Sequence, residues 1–325
     1  MGRKPDMFPS TDLSLDVIVP AYNEEAVIEA FHSQLMQVLS QLPVEKTVYY
    51  VDDGSTDQTL PLLEQLAERD RNVVVIELSR NFGHQAALSA GLEICCGDVV
   101  ITMDADGQHP PHMIPEMISL YQSGYEIVLT KRREVEGGSW FKRFTSNIFY
   151  RLINRFSNTR MVPAAADFRL LSRNVVDELA KMQEYHRFLR GMVAWMGYRS
   201  IVLPFTPPRR MAGESKYSFR KMLKLAQDAA FSFSLIPLYM GVLLGIFFLL
   251  MAFAESIYVL SFWIRGQQDQ LVRGWSSLMF ILLIVGGTIS TILGIIGIYI
   301  GYIFQEVKGR PVYLVRAIHS HDQQE

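Results

Sequence analysis

Residues 98–111 read DVVITMDADGQHPP. The apolar run Val99–Met103 has the length of a strand and stops at Asp104, Ala105 and Asp106. In an extended chain the side chains at i and i+2 leave on the same side, so the two carboxylates face together from a strand end. Hard oxygen ligands placed this way suit Mg²⁺ or Mn²⁺, which keep several waters and bind through one or two carboxylates plus substrate phosphates. A plainer reading fits the same letters: Asp106 and Gly107 form a turn ahead of a helix opened by Pro110 and Pro111. The Asp-x-Asp pair alone does not choose between them.

On either side the pattern repeats. Strand-length apolar runs occur at DVIVPAY (16–22), TVYYVDD (47–53), NVVVIELS (72–79) and YEIVLT (125–130), with helix-like segments between them. That alternation predicts a parallel α/β sheet with helices on both faces, where ligands gather at the carboxyl ends of the strands. The first four strands would deliver AYNEE, DDGSTD, RNFGHQ and DADGQHPP to one edge. In DDGSTD the last four residues suit a turn and helix cap, with Ser55, Thr56 or Asp57 as the capping residue. The cap does not account for Asp52 and Asp53 together, and one of them is expected to accept a hydrogen bond from a base or ribose. No G-x-G-x-x-G follows the first strand and there is no P-loop, which argues against a nicotinamide or flavin oxidoreductase.

The chain has 325 residues, with 31 basic and 33 acidic side chains for a net charge of -2, so a nucleic-acid partner held by a basic surface is not expected. Cys95 and Cys96 are adjacent and do not suit a disulfide framework; two buried thiols in a reducing compartment are expected. The opening MGRKPDMFPSTD lacks a signal-peptide core, so the amino-terminal domain is expected to stay on the side where it is made. Residues 235–262 and 276–304 are almost uncharged, Glu255 being the exception, and each exceeds the roughly 20 residues needed to span a bilayer. Nine Lys and Arg flank the two spans on their outer sides, against Arg265 and Arg273 between them, which predicts both termini in the cytoplasm. YSFRKMLKLAQDAAFSF (217–233) alternates basic and apolar residues at helical spacing; it suits a helix in the headgroup plane and, equally, one packed on the preceding domain.

Taken together, VIVPAYNEE, VDDGSTD, SRNFGHQAAL, DADGQHPP, ADFRLLS and GESKYS resemble the motif series of glycosyltransferase family 2. More narrowly, the chain is similar to polyprenyl-phosphate glycosyltransferases of the dolichol-phosphate mannose synthase and bactoprenol glucosyltransferase type, from about residue 15 to the closing IGYIFQEVKGRPVYLV. The resemblance implies a Rossmann-like GT-A catalytic domain over residues 15–216, after an extension at 1–14. An interfacial helix (217–233), a two-helix transmembrane hairpin (234–305) and a cytoplasmic tail (306–325) would follow. It also implies that Pro20, Tyr22, Glu24 and Asp52 line the nucleotide pocket. Asp104, Asp106 and Gln108 would hold Mg²⁺ or Mn²⁺ on the diphosphate, and Arg210 and Lys216 would close over the donor phosphates. Asp167 and Arg169 would stand beside the reacting centre; read without the family, they form a local ion pair opening the helix RNVVDELAKM. His84 and His109 read as hydrogen-bonded loop residues, because single histidines do not make a metal site.

The acceptor phosphate is expected on KRREVEGGSWFKRFTSN (131–147), with Arg132, Lys142, Arg143 and Ser146 as donors. The implied reaction is inverting transfer of one sugar from a nucleotide-sugar, such as UDP-glucose, to a polyprenyl phosphate such as undecaprenyl phosphate, at the cytoplasmic membrane face. Small residues in GGTISTILGIIG (286–297) suit helix packing between protomers, so a homo-oligomer is expected. A processive polysaccharide synthase is disfavoured by the two spans and the missing Q-x-x-R-W; a silent nucleotide-sugar sensor or membrane scaffold is the remaining rival.

Overall fold

The computed structural model describes residues 13–133, 165–206 apart from 183 and 186, scattered positions in 241–266, and 274–321. The chain divides into two compact units, Met1–Phe219 with Pro311–Glu325, and Arg220–Arg310.

The first unit is built on one eight-stranded sheet in the order β7-β5-β6-β4-β1-β2-β3-β8. Strands β1 (Ser14–Ala21), β2 (Glu45–Asp52), β3 (Val73–Leu78) and β4 (Val99–Thr102) pair in parallel, as their apolar runs predict. They are joined by α1 (Ile28–Leu39), α2 (Thr59–Arg69) and α3 (His84–Ile94). In α1 the buried residues Ile28, Phe31, Leu35 and Leu39 recur at helical spacing and form one apolar stripe in the core. The chain runs outward from β1 to β2 and β3, then returns through α3 to place β4 on the other side of β1. The gap between β1 and β4 is therefore the switch point where α/β sheets open a crevice at the strand carboxyl ends.

A short turn of helix at Pro111–Met113 and α4 (Ile114–Gln122) lead to β5 (Ile127–Arg132), which does not pair with β4. Strand β6 (Ala165–Ser172) enters between them, antiparallel to both. This corrects the reading of Asp167 and Arg169 as the start of a helix: helix α5 (Arg173–Lys181) begins only after Ser172. Because β6 runs the opposite way, its first residues lie at the edge where β4 and β5 end. Helix α6 (Leu189–Trp195) and strand β7 (Ser200–Phe205), parallel to β5, follow.

Residues 306–325, expected as a tail, supply the last strand: β8 (Val315–Ser320) pairs antiparallel with β3, and Arg316 Nη1 meets Glu77 Oε1 at 2.8 Å. The expectation of two buried thiols holds for Cys95 only, since Cys96 is exposed.

In the second unit, helix α7 (Trp275–Val307) has 33 residues and is roughly 50 Å long. Its segment Ile284–Val307, at mean hydropathy 1.9 and with none of its most apolar window buried, is long and apolar enough to cross a membrane. Leu293, Ile300 and Phe304 are among its exposed residues. Among the described residues this is the one helix that meets both criteria. The expected first span, 235–262, lies largely outside the described residues, although every described position from 241 to 264 is helical. The interfacial segment 217–233 lies outside them entirely.

Candidate active site

The strand-end loops meet at the carboxyl edge of β1, β2 and β4. The loop after β1 is held to the loop after β2 by backbone-to-side-chain hydrogen bonds. Asn23, in the left-handed region at φ 53, donates from its backbone N to Ser55 Oγ at 3.0 Å and accepts from Thr56 N at 2.8 Å. Glu24 N donates to Thr59 Oγ1 at 2.8 Å, and Glu25 Oε2 accepts from Gln58 N at 2.9 Å. The N-cap of α2 is Gln58, which makes no side-chain capping hydrogen bond, so none of the three expected residues holds that position. Asp57, one residue earlier, accepts from Thr59 N at 3.0 Å. Pro20 is buried at the end of β1, and Tyr22 is exposed just beyond it.

Asp52 and Asp53 are both buried but differ in employment. The Asp53 carboxylate accepts from Phe82 N at 2.7 Å and Gly83 N at 2.9 Å, clamping the RNFGHQ loop onto the end of β2. Gly54 permits that closeness: it has φ 68, and a Cβ there would stand 2.5 Å from the Arg80 carbonyl carbon. Asp52 accepts from Ser55 N at 3.0 Å through Oδ2, while its buried Oδ1 has no hydrogen-bond partner among the described residues. Burial raises both carboxyls above the ordinary aspartate range, against the hydrogen bonds they accept.

After β4, Asp104 donates from its backbone N to His109 Nδ1 at 2.8 Å, and Asp106 Oδ1 accepts from Gln108 N at 3.0 Å. His109 is wholly buried and stacked on Phe168. Burial pushes its pKa down, although Asp104 opposes this, so the ring is neutral with Nδ1 as acceptor. Asp104 Oδ1 and Gln108 Oε1 are buried oxygens without a hydrogen-bond partner among the described residues. No cluster of three or more His, Cys, Asp or Glu able to hold a metal occurs among the described residues. This donor set therefore does not make a closed all-protein cage. Two hard oxygens beside Asp106 that accept no hydrogen bond among the described residues do fit a divalent cation whose remaining ligands are water and phosphate.

Asp167, on β6, has its backbone carbonyl fixed by Thr102 Oγ1 on β4 and its carboxylate wrapped by cations. Arg169 pairs with Oδ1, and Arg190 of α6 donates to Oδ1 at 3.0 Å and to Oδ2 at 2.6 Å. His84, the first residue of α3, places Nε2 3.7 Å from Asp167 Oδ2 and 3.4 Å from Asp104 Oδ1. Burial would raise the Asp167 carboxyl, but Arg190 and Arg169 more than offset it and hold it well below the usual range. Burial lowers the His84 imidazole, and Asp104 with Asp167 more than reverses that, so its pKa is raised.

The fold brings Asp52, Asp104, Asp106, Gln108, Asp167 and Arg169 to one edge of the sheet, and Arg132 reaches the same edge at the end of β5. Arg190, which pairs with Asp167, lies outside every quoted motif, and His84, expected as a hydrogen-bonded loop residue, opens α3 beside Asp104 and Asp167. The only signal for His84 is its place within RNFGHQ; nothing marks Arg190 until β6 and α6 are folded. Lys142, Arg143, Ser146, Arg210 and Lys216 lie outside the described residues.

Residues 16–180, from β1 into α5, match the family described as Glycosyl transferase family 2. A glycosyltransferase of Synechocystis is 38% identical over 93% of this chain and 95% of its own. The chain belongs to glycosyltransferase family 2. Its α/β unit is accordingly the Rossmann-like GT-A domain of that family, and the carboxylates at the β1/β4 crevice fall inside the matched stretch. The bactoprenol glucosyl transferase of Shigella phage SfII is 34% identical over 94% of this chain and 99% of its own, so the likeness extends beyond the α/β unit into α7. Among solved structures, S. aureus TarS in complex with UDP-GlcNAc overlaps 67% of this chain and 66% of that one, at 22% identity and TM-score 0.44, an overlap too loose to transfer a ligand.

Proposed function

We propose that this family 2 glycosyltransferase moves a single sugar from a nucleotide-sugar, UDP-glucose or a close analogue, onto a polyprenyl phosphate such as undecaprenyl phosphate. The observation that carries the acceptor assignment is the end-to-end similarity to bactoprenol glucosyl transferases, membrane-length helix included. The orphaned oxygens at the switch point support the donor side.

The unpartnered Oδ1 of Asp52 accepts an N–H of the base, with Pro20, Tyr22 and Glu24 lining the same pocket. Asp104, Asp106 and Gln108 hold Mg²⁺ or Mn²⁺, which when bound neutralises charge on the diphosphate. Arg210 and Lys216 add positive charge to the leaving group. Arg132, Lys142, Arg143 and Ser146 receive the lipid phosphate. That phosphate, with a second pKa of about 6, is largely dianionic at neutral pH and needs no general base. One of its oxygens bonds to the anomeric carbon as the bond from that carbon to the diphosphate breaks, which releases a nucleoside diphosphate and inverts the configuration.

Asp167 is poorly suited to take a proton, because two guanidiniums occupy its oxygens and keep it ionised. Its part, with Arg169, is to fix the electrostatics beside the reacting carbon. Anchoring by two helices keeps the GT-A domain and both termini on the cytoplasmic face, where the isoprenoid acceptor never has to leave the bilayer. The small residues of 286–297 support a homo-oligomer. The proposed division, 15–216 catalytic, 217–233 interfacial and 234–305 membrane hairpin, is amended by β8, which returns part of 306–325 to the catalytic sheet.

A panel of radiolabelled UDP- and GDP-sugars, each offered with undecaprenyl phosphate in detergent and Mg²⁺ or Mn²⁺, tests this directly. One donor should give an organic-soluble lipid sugar. Nucleotide binding without a lipid product from any donor would instead favour the sensor reading.

A further inference from the structure

His84 stands where two separate anchors put it. The loop before it is clamped by Asp53 through the Phe82 and Gly83 amides, at 2.7 and 2.9 Å. Gly83, at φ 101, turns the chain into α3. One residue on, Gln85 Oε1 accepts from Leu189 N at 3.1 Å and ties the start of α3 to the start of α6. These contacts bring the imidazole between two carboxylates from different strands, with Nε2 3.4 Å from Asp104 Oδ1 and 3.7 Å from Asp167 Oδ2. Both neighbours are acceptors, so Nε2 carries the hydrogen, and the imidazole can bridge whether or not it is also protonated on Nδ1.

The two carboxylates need such a bridge to different degrees. Asp167 already has Arg169 and Arg190. Asp104 is 29% exposed at its side chain, and its Oδ1 has no hydrogen bond among the described residues. His84 is thus the group placed to couple the position of Asp104 to the rigid Asp167 cluster. Contacts of this length in an enzyme without substrate commonly tighten in the complex.

We propose that His84 is a positioning residue for sugar transfer, sharing its Nε2–H between Asp104 and Asp167 so that the diphosphate end of the site and the reacting centre keep a fixed separation. The inference rests on the reading of Asp104 as a diphosphate-side ligand and of Asp167 as the carboxylate beside the reacting carbon. A misplacement of about 1 Å at a reacting centre lowers a rate by on the order of 100-fold. Replacing the donor should therefore reduce kcat by about that factor, with a smaller rise of about threefold in KM for the nucleotide-sugar, because a loosened Asp104 also weakens the hold on the diphosphate.

The test compares His84→Gln, whose amide nitrogen reaches about as far as Nε2, with His84→Asn, which is polar but one methylene too short. His84→Leu fills the space without a donor. Each variant is assayed for kcat and KM, for its melting temperature, and for Mn²⁺-dependent binding of UDP by calorimetry. Gln within about tenfold of the parent kcat, with Asn and Leu down about 100-fold at unchanged melting temperature, supports the bridge. Should Leu not fold, Gln against Asn carries the same comparison.

Equal activity in Gln and Asn, or full activity in Leu, overturns it. An inactive parent enzyme contradicts the transfer reading by itself. In that case calorimetry decides the bridge: Asn should weaken Mn²⁺-dependent UDP binding and Gln preserve it, and identical binding in both overturns the proposal.

Discussion

At the scale of single residues, chemistry at this site depends on which buried oxygens are already used. Asp52 and Asp53 are adjacent and both buried, yet Asp53 spends both oxygens on the Phe82 and Gly83 amides, whereas Asp52 Oδ1 has no hydrogen-bond partner among the described residues. Asp167 is the opposite extreme, with Arg169, Arg190 and His84 around one carboxylate. Its folded pKa is depressed, so the stability it contributes is present above the unfolded value of about 3.9 and is lost as pH falls through the folded value. Asp167→Asn should cost about 3–5 kcal/mol at pH 7 by leaving the buried Arg169 and the half-buried Arg190 short of a partner. The gap in melting temperature between the parent and Asp167→Asn should narrow as pH drops from 6 towards 3. A gap that stays constant across that range would mean that the ion cluster does not carry the difference. The pair Asp167 and Arg169 was legible as a pair, but its surroundings were not. Arg190 is 23 residues away, and a contact across that distance exists only once β6 and α6 are in place.

Secondary-structure elements show a similar division between what the sequence reveals and what it hides. The four parallel strands were legible because each is a continuous apolar run broken by turn residues, the pattern of strands buried on both faces. Strand β6 was not, since Asp167 and Arg169 interrupt its apolar residues; both are buried there only because they neutralise each other and Arg190 joins them. Strand β8 was hidden by its position after a membrane-length helix, where the charged Arg316 reads as a tail. In the fold Arg316 pairs with Glu77 of β3, and β8 covers an edge that would otherwise present unpaired backbone groups. Removing residues 315–325 should therefore expose β3. Hydrogen–deuterium exchange at its amides should speed up by at least about tenfold, and the truncated protein should aggregate more readily. Unchanged protection of β3 would show that β8 is dispensable to the sheet.

For the molecule as a whole, one chain carries a GT-A domain and a helix long and apolar enough to cross a membrane, and the proposed transfer to a lipid phosphate uses both. If 235–262 also spans the bilayer, as proposed, the excess of Lys and Arg outside the two spans places the loop between them, near residues 266–273, away from the cytoplasm. A fluorescent protein that folds only in the cytoplasm should light up at the carboxyl terminus and stay dark when inserted in that loop; the reverse pattern would contradict the topology. The central claim is that the strand-end carboxylates act on the donor diphosphate through a divalent cation during transfer to a polyprenyl phosphate. The most direct test follows radiolabelled lipid sugar formed by the parent and by Asp104→Asn, each with Mg²⁺ and with a chelator. A cation lowers such a barrier by several kcal/mol, so transfer should fall by at least about 100-fold in the chelator and in the variant. Transfer that survives both would contradict the account.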